Sequence, residues 1–287
     1  MKNQRRQVLN SSELPTISIV TPSYNQRQFL ETAIKSVTEQ AYPNLEYIVM
    51  DGHSTDDSQQ ILQKHSKKID YWCSEPDEGQ SDAIAKGFAR AKGEILGWIN
   101  SDDAFFPNAL MKVGEYFAAR PDIDLVLGGT AYTDQDGRVT SCYERPKPLM
   151  WFARHGITYF GQQGMFFRRK LYEEIGGIRR DFHFLMDTEL LYRILQAQAK
   201  CGALRGMCGF FRWHSAMKSI RRQGRKAEER RIMQKEYGFG EPEYAQGLFH
   251  MLYRSWQVVN GNYMLSLAKT AKLRGKSIDQ IWGWIPE

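Results

Sequence analysis

Runs of apolar and β-branched residues alternate with apolar residues at helical spacing through the first half of the chain. The short runs predict four strands, over residues 16–21, 45–50, 69–73 and 95–99. Apolar positions three and four apart predict helices after them, over residues 29–37, 56–65, 81–91 and 107–118. The second helix follows Ser54-Thr55-Asp56-Asp57, a spacing in which Ser54 can cap the helix start. Because helices alternate with strands, we predict a doubly wound α/β fold with a mostly parallel sheet and helices on both faces.

This alternation ends in the second half. Apolar runs over 125–133 and 139–143 flank Asp136-Gly137, a pair typical of hairpin turns. Two further helices, a last strand and a pair of amphipathic helical patterns follow, over residues 169–175, 188–197, 207–213 and 245–276. The composition becomes basic after the last strand. We therefore predict a catalytic α/β domain over residues 1–219 and a basic, amphipathic helical C-terminal extension over residues 220–287.

The composition is that of an ordinary globular protein. The chain has 287 residues, of which 42% are hydrophobic and 25% charged, which argues against disordered, collagenous and coiled-coil classes. Its four cysteines are far apart and form no Cys-x-x-Cys pair, as expected for reduced thiols. The N-terminus lacks the apolar run of a secretory signal, and no stretch approaches the roughly 18 apolar residues of a spanning helix. We therefore expect a cytoplasmic protein.

The net charge of +6 is concentrated in one segment. Residues 1–217 carry equal numbers of acidic and basic side chains, whereas residues 218–236 carry eight basic and three acidic ones. One hypothesis is that the C-terminal extension attaches to an anionic membrane surface, on the inner face of the plasma membrane. The alternative is that its helices pack on the catalytic domain. Nucleic acid is not expected as a partner, because no recognised nucleic-acid module precedes the basic run.

The candidate chemistry lies where the predicted strands end. Ligands of open parallel sheets bind beyond the carboxyl ends of the strands, and carboxylates follow three of the four strands here. Each loop alone is explained by turn formation, but acidic groups gathered at one edge require a cation or a donor-rich ligand. Gly-rich phosphate loops of the dinucleotide and Walker types are missing from the sequence. Asp102 and Asp103 suit Mg²⁺ or Mn²⁺, which would assist departure of a phosphate-bearing leaving group.

Three segments in order, residues 15–25, 49–56 and 93–103, resemble the signatures of family 2 glycosyltransferases with the GT-A fold, of the bacterial polysaccharide-biosynthesis type. The resemblance covers residues 15–219. It implies transfer of a sugar from a nucleotide diphosphate donor, with a UDP sugar favoured, to an acceptor hydroxyl with inversion. It also implies Mg²⁺ or Mn²⁺ as cofactor, a glycan or lipid-linked acceptor, and a role in cell-surface polysaccharide or lipopolysaccharide biosynthesis.

The resemblance also implies roles for single residues. Asp187, at the start of a helix, is the expected catalytic base, although an Asp there can simply cap the helix, and Glu189 is the alternative base. Asp103 is the expected main metal ligand, together with Asp102 and His214. Gln162 and Gln163 are expected to face the acceptor. The residues implied in donor binding are Thr21, Pro22, Tyr24, Asn25, Asp51, Gly52, Ser54, Gln80, Asp82, Lys86, Asn100, Asp102, Arg212, Lys218 and Ser219.

One departure from the family pattern keeps other functions open. Asn100 stands where many members have an acid, so a nucleotide-sugar or glycan binding module that has the GT-A fold but no catalysis is the alternative. Retention of Asp51, Asp102, Asp103 and Asp187 argues against that alternative. A nucleotidyltransferase on a similar sheet is a third possibility, but it would usually need a Gly- and Arg-rich loop after the first strand, which this chain lacks.

Overall fold

The computed structural model describes residues 13–215, 217, 223–240 and 243–284. Within these residues, nine strands form one sheet in the order β3-β2-β1-β4-β8-β6-β9-β5, with β7 paired to β6. The strands are β1 Ile17–Ser23, β2 Leu45–Asp51, β3 Tyr71–Ser74, β4 Ile95–Trp98, β5 Ala104–Phe105, β6 Leu125–Thr133, β7 Val139–Tyr143, β8 Met165–Arg168 and β9 Cys201–Arg212.

The strand directions confirm a mostly parallel sheet. Strands β1 to β4 are parallel to one another, and β6 and β9 run in the same direction as these four. Strands β5, β7 and β8 run the opposite way. The expected hairpin joins β6 to β7, and Gly137 takes a positive φ of 75° in its turn. Two short strands, β5 and β8, lie where the sequence predicts none.

Helices cover both faces of the sheet, as predicted. The described helices are α1 Arg27–Thr38, α2 Ser58–His65, α3 Gln80–Arg90, α4 Ala109–Ala118, α5 Met150–Arg154, α6 Arg169–Glu174, α7 Met186–Gln196, α8 Gln223–Tyr237, α9 Glu243–Val259, α10 Asn262–Leu273 and α11 Ile278–Trp282. Helices α3 and α7 pack with Val20 and Trp98 in one apolar cluster, whereas α1 and α4 pack with Ile19 and Val49 in another. The alternation of strand side chains between two faces therefore builds two cores.

Helix α2 begins differently from the expectation. Its N-cap is Asp57, in the left-handed region at φ 65°, and no side chain caps the helix. The hydroxyl of Ser54 instead donates to Oδ1 of Asp51 over 2.5 Å and accepts from the backbone N–H of Asn25 over 2.8 Å. The prediction that Ser54 caps the helix is therefore wrong, because its hydroxyl ties the loop after β1 to the loop after β2.

The C-terminal extension contributes side chains to the cores. Met233 and Phe239 are buried in the cluster that contains α7, and Ile278 is buried beside Val139 of β7. Tyr253 of α9 is buried against Phe152 of α5. None of the helices in the described ranges combines the length and apolar content needed to cross a bilayer. The extension thus packs on the α/β core, while its boundary at residue 219 stays a prediction.

A buried carboxylate joins the extension to the start of α7. Glu229 of α8 is 2% exposed, and its oxygens accept hydrogen bonds from the backbone N–H groups of His183, Phe184 and Leu185, at 2.8, 2.9 and 2.9 Å. These three residues lead directly into α7. One side chain therefore satisfies three backbone donors that precede the helix.

We expect Glu229→Ala to reduce the free energy of unfolding by about 3 kcal/mol or more, because it leaves three backbone donors without their acceptor. Chemical denaturation monitored by circular dichroism measures this change. The matched control is Glu228→Ala, which removes an exposed carboxylate from the same helix and should leave the midpoint almost unchanged. Equal midpoints for the two variants would contradict the prediction.

Candidate active site

The ends of β1 and β2 form a polar corner around Asp51. This buried carboxylate accepts from the backbone N–H and hydroxyl of Ser54, at 2.9 and 2.5 Å, and from the hydroxyl of Ser74, at 2.6 Å. Gly52 follows directly, and a Cβ at this position would lie 2.6 Å from Oδ2 of Asp77. A side chain at this position would displace the carboxylate of Asp77 in the next loop, which packs against the backbone of Gly52.

The end of β1 and the loop that follows it present only part of their length to solvent. Thr21 and Pro22 are buried, and the Thr21 hydroxyl lies 3.0 Å from the hydroxyl of Tyr47. Tyr24 and Asn25 are exposed, with Asn25 at a positive φ of 51° and its Oδ1 accepting from the backbone N–H of Thr55. Tyr24 and Asn25 are thus sufficiently exposed in this loop to contact a ligand.

Asp103 is the centre of a buried hydrogen-bond network at the end of β4. Its Oδ2 accepts from Nδ2 of Asn100 at 3.2 Å and from Nε2 of Gln163 at 2.5 Å, while its Oδ1 accepts from the backbone N–H of Arg212 at 3.0 Å. Burial, and then the charge of Asp102, raise the pKa of Asp103 well above its usual value. Both oxygens of Asp103 are therefore occupied by protein donors.

Gln162 and Gln163 lie in the short turn that precedes β8, and both are buried. Nε2 of Gln162 donates to the backbone oxygen of Trp98 over 2.5 Å. Their Oε1 atoms are buried without a hydrogen-bond partner among the described residues. The two side chains thus anchor this turn to the end of β4, and their role toward an acceptor stays a prediction.

The side chain of Asp102 contacts His214, which lies just after β9. Nε2 of His214 lies 3.0 Å from Oδ2 of Asp102, and the two side chains are 4% and 22% exposed. The ring of His214 packs on Phe29, and its Nδ1 is buried without a partner among the described residues. The guanidinium of Arg212 donates to the backbone oxygens of Asp102 and Gln135 rather than to a carboxylate. Asp102 is thus the partly exposed acid of this network, and the buried imidazole of His214 packs behind it.

The first turn of α3 connects this network to α7. Nε2 of Gln80 donates to Oδ1 of Asn100 over 2.7 Å. The hydroxyl of the next residue, Ser81, donates to the backbone oxygen of Phe182 and lies 2.8 Å from Sδ of Met186. Met186 directly precedes Asp187. The turn before Asp102 and the start of α7 are therefore held by neighbouring residues of one helix.

Asp187 lies in the first turn of α7 and is half-buried. Burial raises the pKa of Asp187, and this rise is opposed by hydrogen bonds from the backbone and hydroxyl of Thr188 and by the charge of Lys226. Glu189 is fully buried, and its two oxygens form a bidentate ion pair with Arg193, at 2.6 and 2.7 Å. The interpretation of Glu189 as an alternative base is therefore wrong, since its carboxylate is sequestered by Arg193 and by the hydroxyl of Tyr237.

Asp82 and Lys86 pair with each other within α3. Nζ of Lys86 lies 2.7 Å from Oδ2 of Asp82. A guanidinium nitrogen of Arg180 lies 3.2 Å from Oδ1 of the same carboxylate. Burial would raise the pKa of Asp82, but the hydrogen bond and charge of Lys86 lower it below its usual value. The charges of Asp82 and Lys86 thus cancel each other. Their contact with a sugar donor stays a prediction. Two further donor-binding predictions, Lys218 and Ser219, lie outside the described residues.

Two residues near the site are absent from the sequence-based set. Asp77 packs over Gly52, and its pKa is raised by burial and then by the charges of Asp82 and Asp51. Glu229, which holds the entry to α7, lies in a segment that the sequence identifies only as basic. The sequence feature that could have indicated burial of Glu229 is its position four residues before the apolar Met233, which places both on one helix face.

Comparison with known proteins agrees with this arrangement. Residues 18–176 match the family model described as glycosyl transferase family 2. An uncharacterized glycosyltransferase of Mycobacterium tuberculosis is 31% identical over 184 residues, which are 62% of this chain and 68% of that protein. The putative teichuronic acid biosynthesis glycosyltransferase TuaG of Bacillus subtilis is 35% identical over 109 residues, 37% of this chain and 43% of TuaG.

Solved structures share the fold at low sequence identity. S. aureus TarS 1–349 in complex with UDP-GlcNAc is 16% identical, with a TM-score of 0.56 over 82% of this chain and 70% of that one. The mannosyltransferase PcManGT from Pyrobaculum calidifontis, in complex with GDP-Man and Mn²⁺, is 17% identical, with a TM-score of 0.61 over 96% and 80%. The expected GT-A architecture is thus confirmed. With the family model matching more than half of its length, the chain belongs to glycosyl transferase family 2.

Proposed function

We propose that this glycosyltransferase moves a sugar from a nucleotide diphosphate donor, with a UDP sugar favoured, to an acceptor hydroxyl with inversion at the anomeric carbon. One observation carries the proposal. The first turn of α3 contacts Asn100, two residues before Asp102, and Met186, directly before Asp187, so that one helix end borders both candidate sites. Such a pair of sites suits a leaving diphosphate on one side and an attacking hydroxyl on the other.

Asp187 is the base in this proposal. Its carboxylate takes the proton of the acceptor hydroxyl as the acceptor oxygen forms its bond to the anomeric carbon. The bond from that carbon to the diphosphate oxygen breaks, and its electron pair leaves with the nucleoside diphosphate. Because attack and departure occur on opposite faces of the sugar, one displacement inverts the configuration. Burial of Asp187 supports this role, since a raised pKa makes the carboxylate a stronger base.

Asp102 and His214 fit a divalent metal better than Asp103 does. Asp102 is partly exposed and its Oδ2 lies 3.0 Å from Nε2 of the buried His214, whereas both oxygens of Asp103 accept internal hydrogen bonds. No three His, Cys, Asp or Glu side chains within the described parts of the chain form a metal-holding group. Two protein ligands suit Mg²⁺ or Mn²⁺ when substrate phosphates provide the rest. When bound, the ion would neutralise charge on the departing diphosphate.

The remaining predicted residues are proposed to shape the donor site. Asp51 and Gly52 would border the nucleobase, with the exposed Tyr24 and Asn25 beside them. We propose a glycan or lipid-linked acceptor and a role in cell-surface polysaccharide biosynthesis, supported by the likeness to TuaG. The domain limits proposed are residues 1–219 and 220–287, with the extension packed on the α/β core.

The first test is a donor panel. We expect the wild-type chain to release nucleoside diphosphate from a UDP or GDP sugar in the presence of Mn²⁺ or Mg²⁺. Asp187→Asn should lower this rate by about 10²–10⁴-fold, because it removes the base, while the dissociation constant of the donor stays unchanged. Asp122→Asn, the same chemical change at an exposed surface position, should keep full activity. If no donor is turned over and Asp187→Asn binds as the wild type does, an inactive binding module is favoured instead.

The metal assignment is tested by titration. Chelation with EDTA should abolish donor turnover, and added Mn²⁺ should restore it. Asp102→Asn and His214→Ala should each raise the Mn²⁺ concentration needed for donor binding by at least about tenfold, since even residues behind metal ligands typically matter that much. Isothermal titration with UDP at several Mn²⁺ concentrations measures this shift. Wild-type Mn²⁺ dependence in both variants would refute the assignment.

The pH profile tests Asp187 through its neighbour. Because the base must be ionised, kcat/KM should rise with pH through the pKa of Asp187, which burial raises above the usual Asp value. Lys226 lowers that pKa, so Lys226→Gln should move the acid limb of the profile to higher pH. Lys235→Gln removes an exposed cation from the same helix and should leave the limb in place. A limb that stays fixed or moves to lower pH in Lys226→Gln would contradict the role of Asp187.

A further inference from the structure

The C-terminal extension exposes an unusually apolar surface. Thirteen large hydrophobic side chains are exposed among the described residues, and eight of them lie on the helical hairpin formed by α9 and α10. We name these eight the apolar face: Leu248, Met251, Leu252, Val258, Val259, Tyr263, Met264 and Leu267. Val259 and Met264 are 80% and 65% exposed. A concentration of this kind marks an interaction surface rather than scattered exposure.

The apolar face lies opposite the side by which the hairpin is attached. On α9, Tyr253 and Trp256 pack against Phe152. On α10, the hydroxyls of Ser266 and Thr270 accept from backbone N–H groups at β7 and just after it. The contacts with the α/β core are therefore made by other side chains, and the apolar face has no role in them. Spacing of three and four residues along α9 keeps this face on one side of the helix.

The charge of the hairpin identifies what covers this face. From residue 244 to residue 278 the sequence contains no Asp or Glu, whereas it contains five basic residues. These are Arg254, Lys269, Lys272, Arg274 and Lys276. Exposed apolar side chains on a segment that has five cations and no carboxylate between Glu243, the first residue of α9, and Asp279 match the interface of an anionic bilayer, where side chains insert between headgroups and cations meet phosphates.

Aromatic side chains at the margin agree with this occupant. Trp151 is exposed and packs on Phe249 of α9, and Tyr159 is exposed with its hydroxyl 2.7 Å from Nδ1 of His250. Amphipathic aromatic rings are enriched where protein meets the headgroup region. Tyr159 also lies three residues before Gln162, whose turn is anchored to the end of β4. The segment that borders the hairpin therefore leads directly into the site.

We propose that the apolar face of the α9–α10 hairpin docks the protein on an anionic phospholipid surface, with cations of the same segment against the headgroups. The docked orientation would bring the Gln162–Gly164 turn near the bilayer, where a lipid-linked acceptor is presented. Docking itself is independent of the proposed donor, metal and base, since it is measured without substrate.

Vesicle flotation of the full chain tests the proposal. We expect binding to vesicles of phosphatidylcholine with phosphatidylglycerol, and loss of about tenfold or more in bound fraction for Met251→Glu combined with Met264→Glu, which place carboxylates at exposed positions of the face. The matched control is Gln63→Glu combined with Gln196→Glu, which makes the same charge change at exposed positions elsewhere and should bind like the wild type. Thermal unfolding verifies that both double variants are folded.

Three outcomes would overturn the proposal. The first is equal flotation of the two double variants. The second is equal wild-type binding to vesicles of phosphatidylcholine alone, which would remove the anionic requirement. The third is wild-type dimerisation in light scattering that disappears in the Met251→Glu, Met264→Glu variant without any vesicle binding, which would make the face an interface between two copies of the chain.

Discussion

The buried carboxylate of Asp103 is the interaction on which the site depends. Its two oxygens join Asn100 in the turn after β4, Gln163 in the turn before β8 and the backbone of Arg212 at the end of β9. These three segments are far apart in sequence, and each carries a candidate functional group beside its contact. A charge buried in this way is costly unless every lone pair is satisfied, so the three segments must keep their relative positions for Asp103 to remain buried.

A second carboxylate fixes the other half of the site. Glu229 accepts from three successive backbone N–H groups before α7, and the hydroxyl of Ser81 of α3 donates to the backbone oxygen of Phe182, just before them. The start of the helix that bears Asp187 is thus held by both the α/β core and the C-terminal extension. Since the extension also buries Met233 in the same cluster, the position of the proposed base and the attachment of the extension depend on one structural unit.

The sequence predicts those strands and helices that are determined by their own residues. Strands β1, β2 and β4 are mostly apolar and largely buried, and β3 is a short half-buried strand at the sheet edge, so their positions and parallel pairing follow from the pattern alone. Strands β5 and β8 have two and four residues and form only because β9, β4 and β6 offer pairing partners. Asp102 and Asp103 are adjacent and chemically identical, and only the fold determines which is buried. Ser54 likewise has a helix-cap spacing, yet the nearby carboxylate of Asp51 binds its hydroxyl.

The partners of the acidic groups distinguish the site from its surroundings. Glu189 forms an ion pair with Arg193, and Asp82 forms one with Lys86. The negative charge of each acid is therefore balanced by a cation of the protein. By contrast, Asp103 accepts only from amide and backbone donors, and Asp187 from Thr188. Burial raises the pKa of Asp103 and of Asp187 more than their hydrogen bonds lower it, whereas the hydrogen bond and charge of Lys86 bring the pKa of Asp82 below its usual value despite burial.

This arrangement leaves negative charge at the carboxyl edge of the sheet, in a domain whose overall charge is balanced. A nucleotide diphosphate is itself anionic, so it binds such an edge only when a cation accompanies it or when the acids are protonated. Asp102 is the partly exposed acid of the network, backed by His214, and we propose that such a cation would be held there. A cation bound there would balance the charge of the donor without the basic residues of the extension, some of which we propose to meet the headgroups of an anionic bilayer instead.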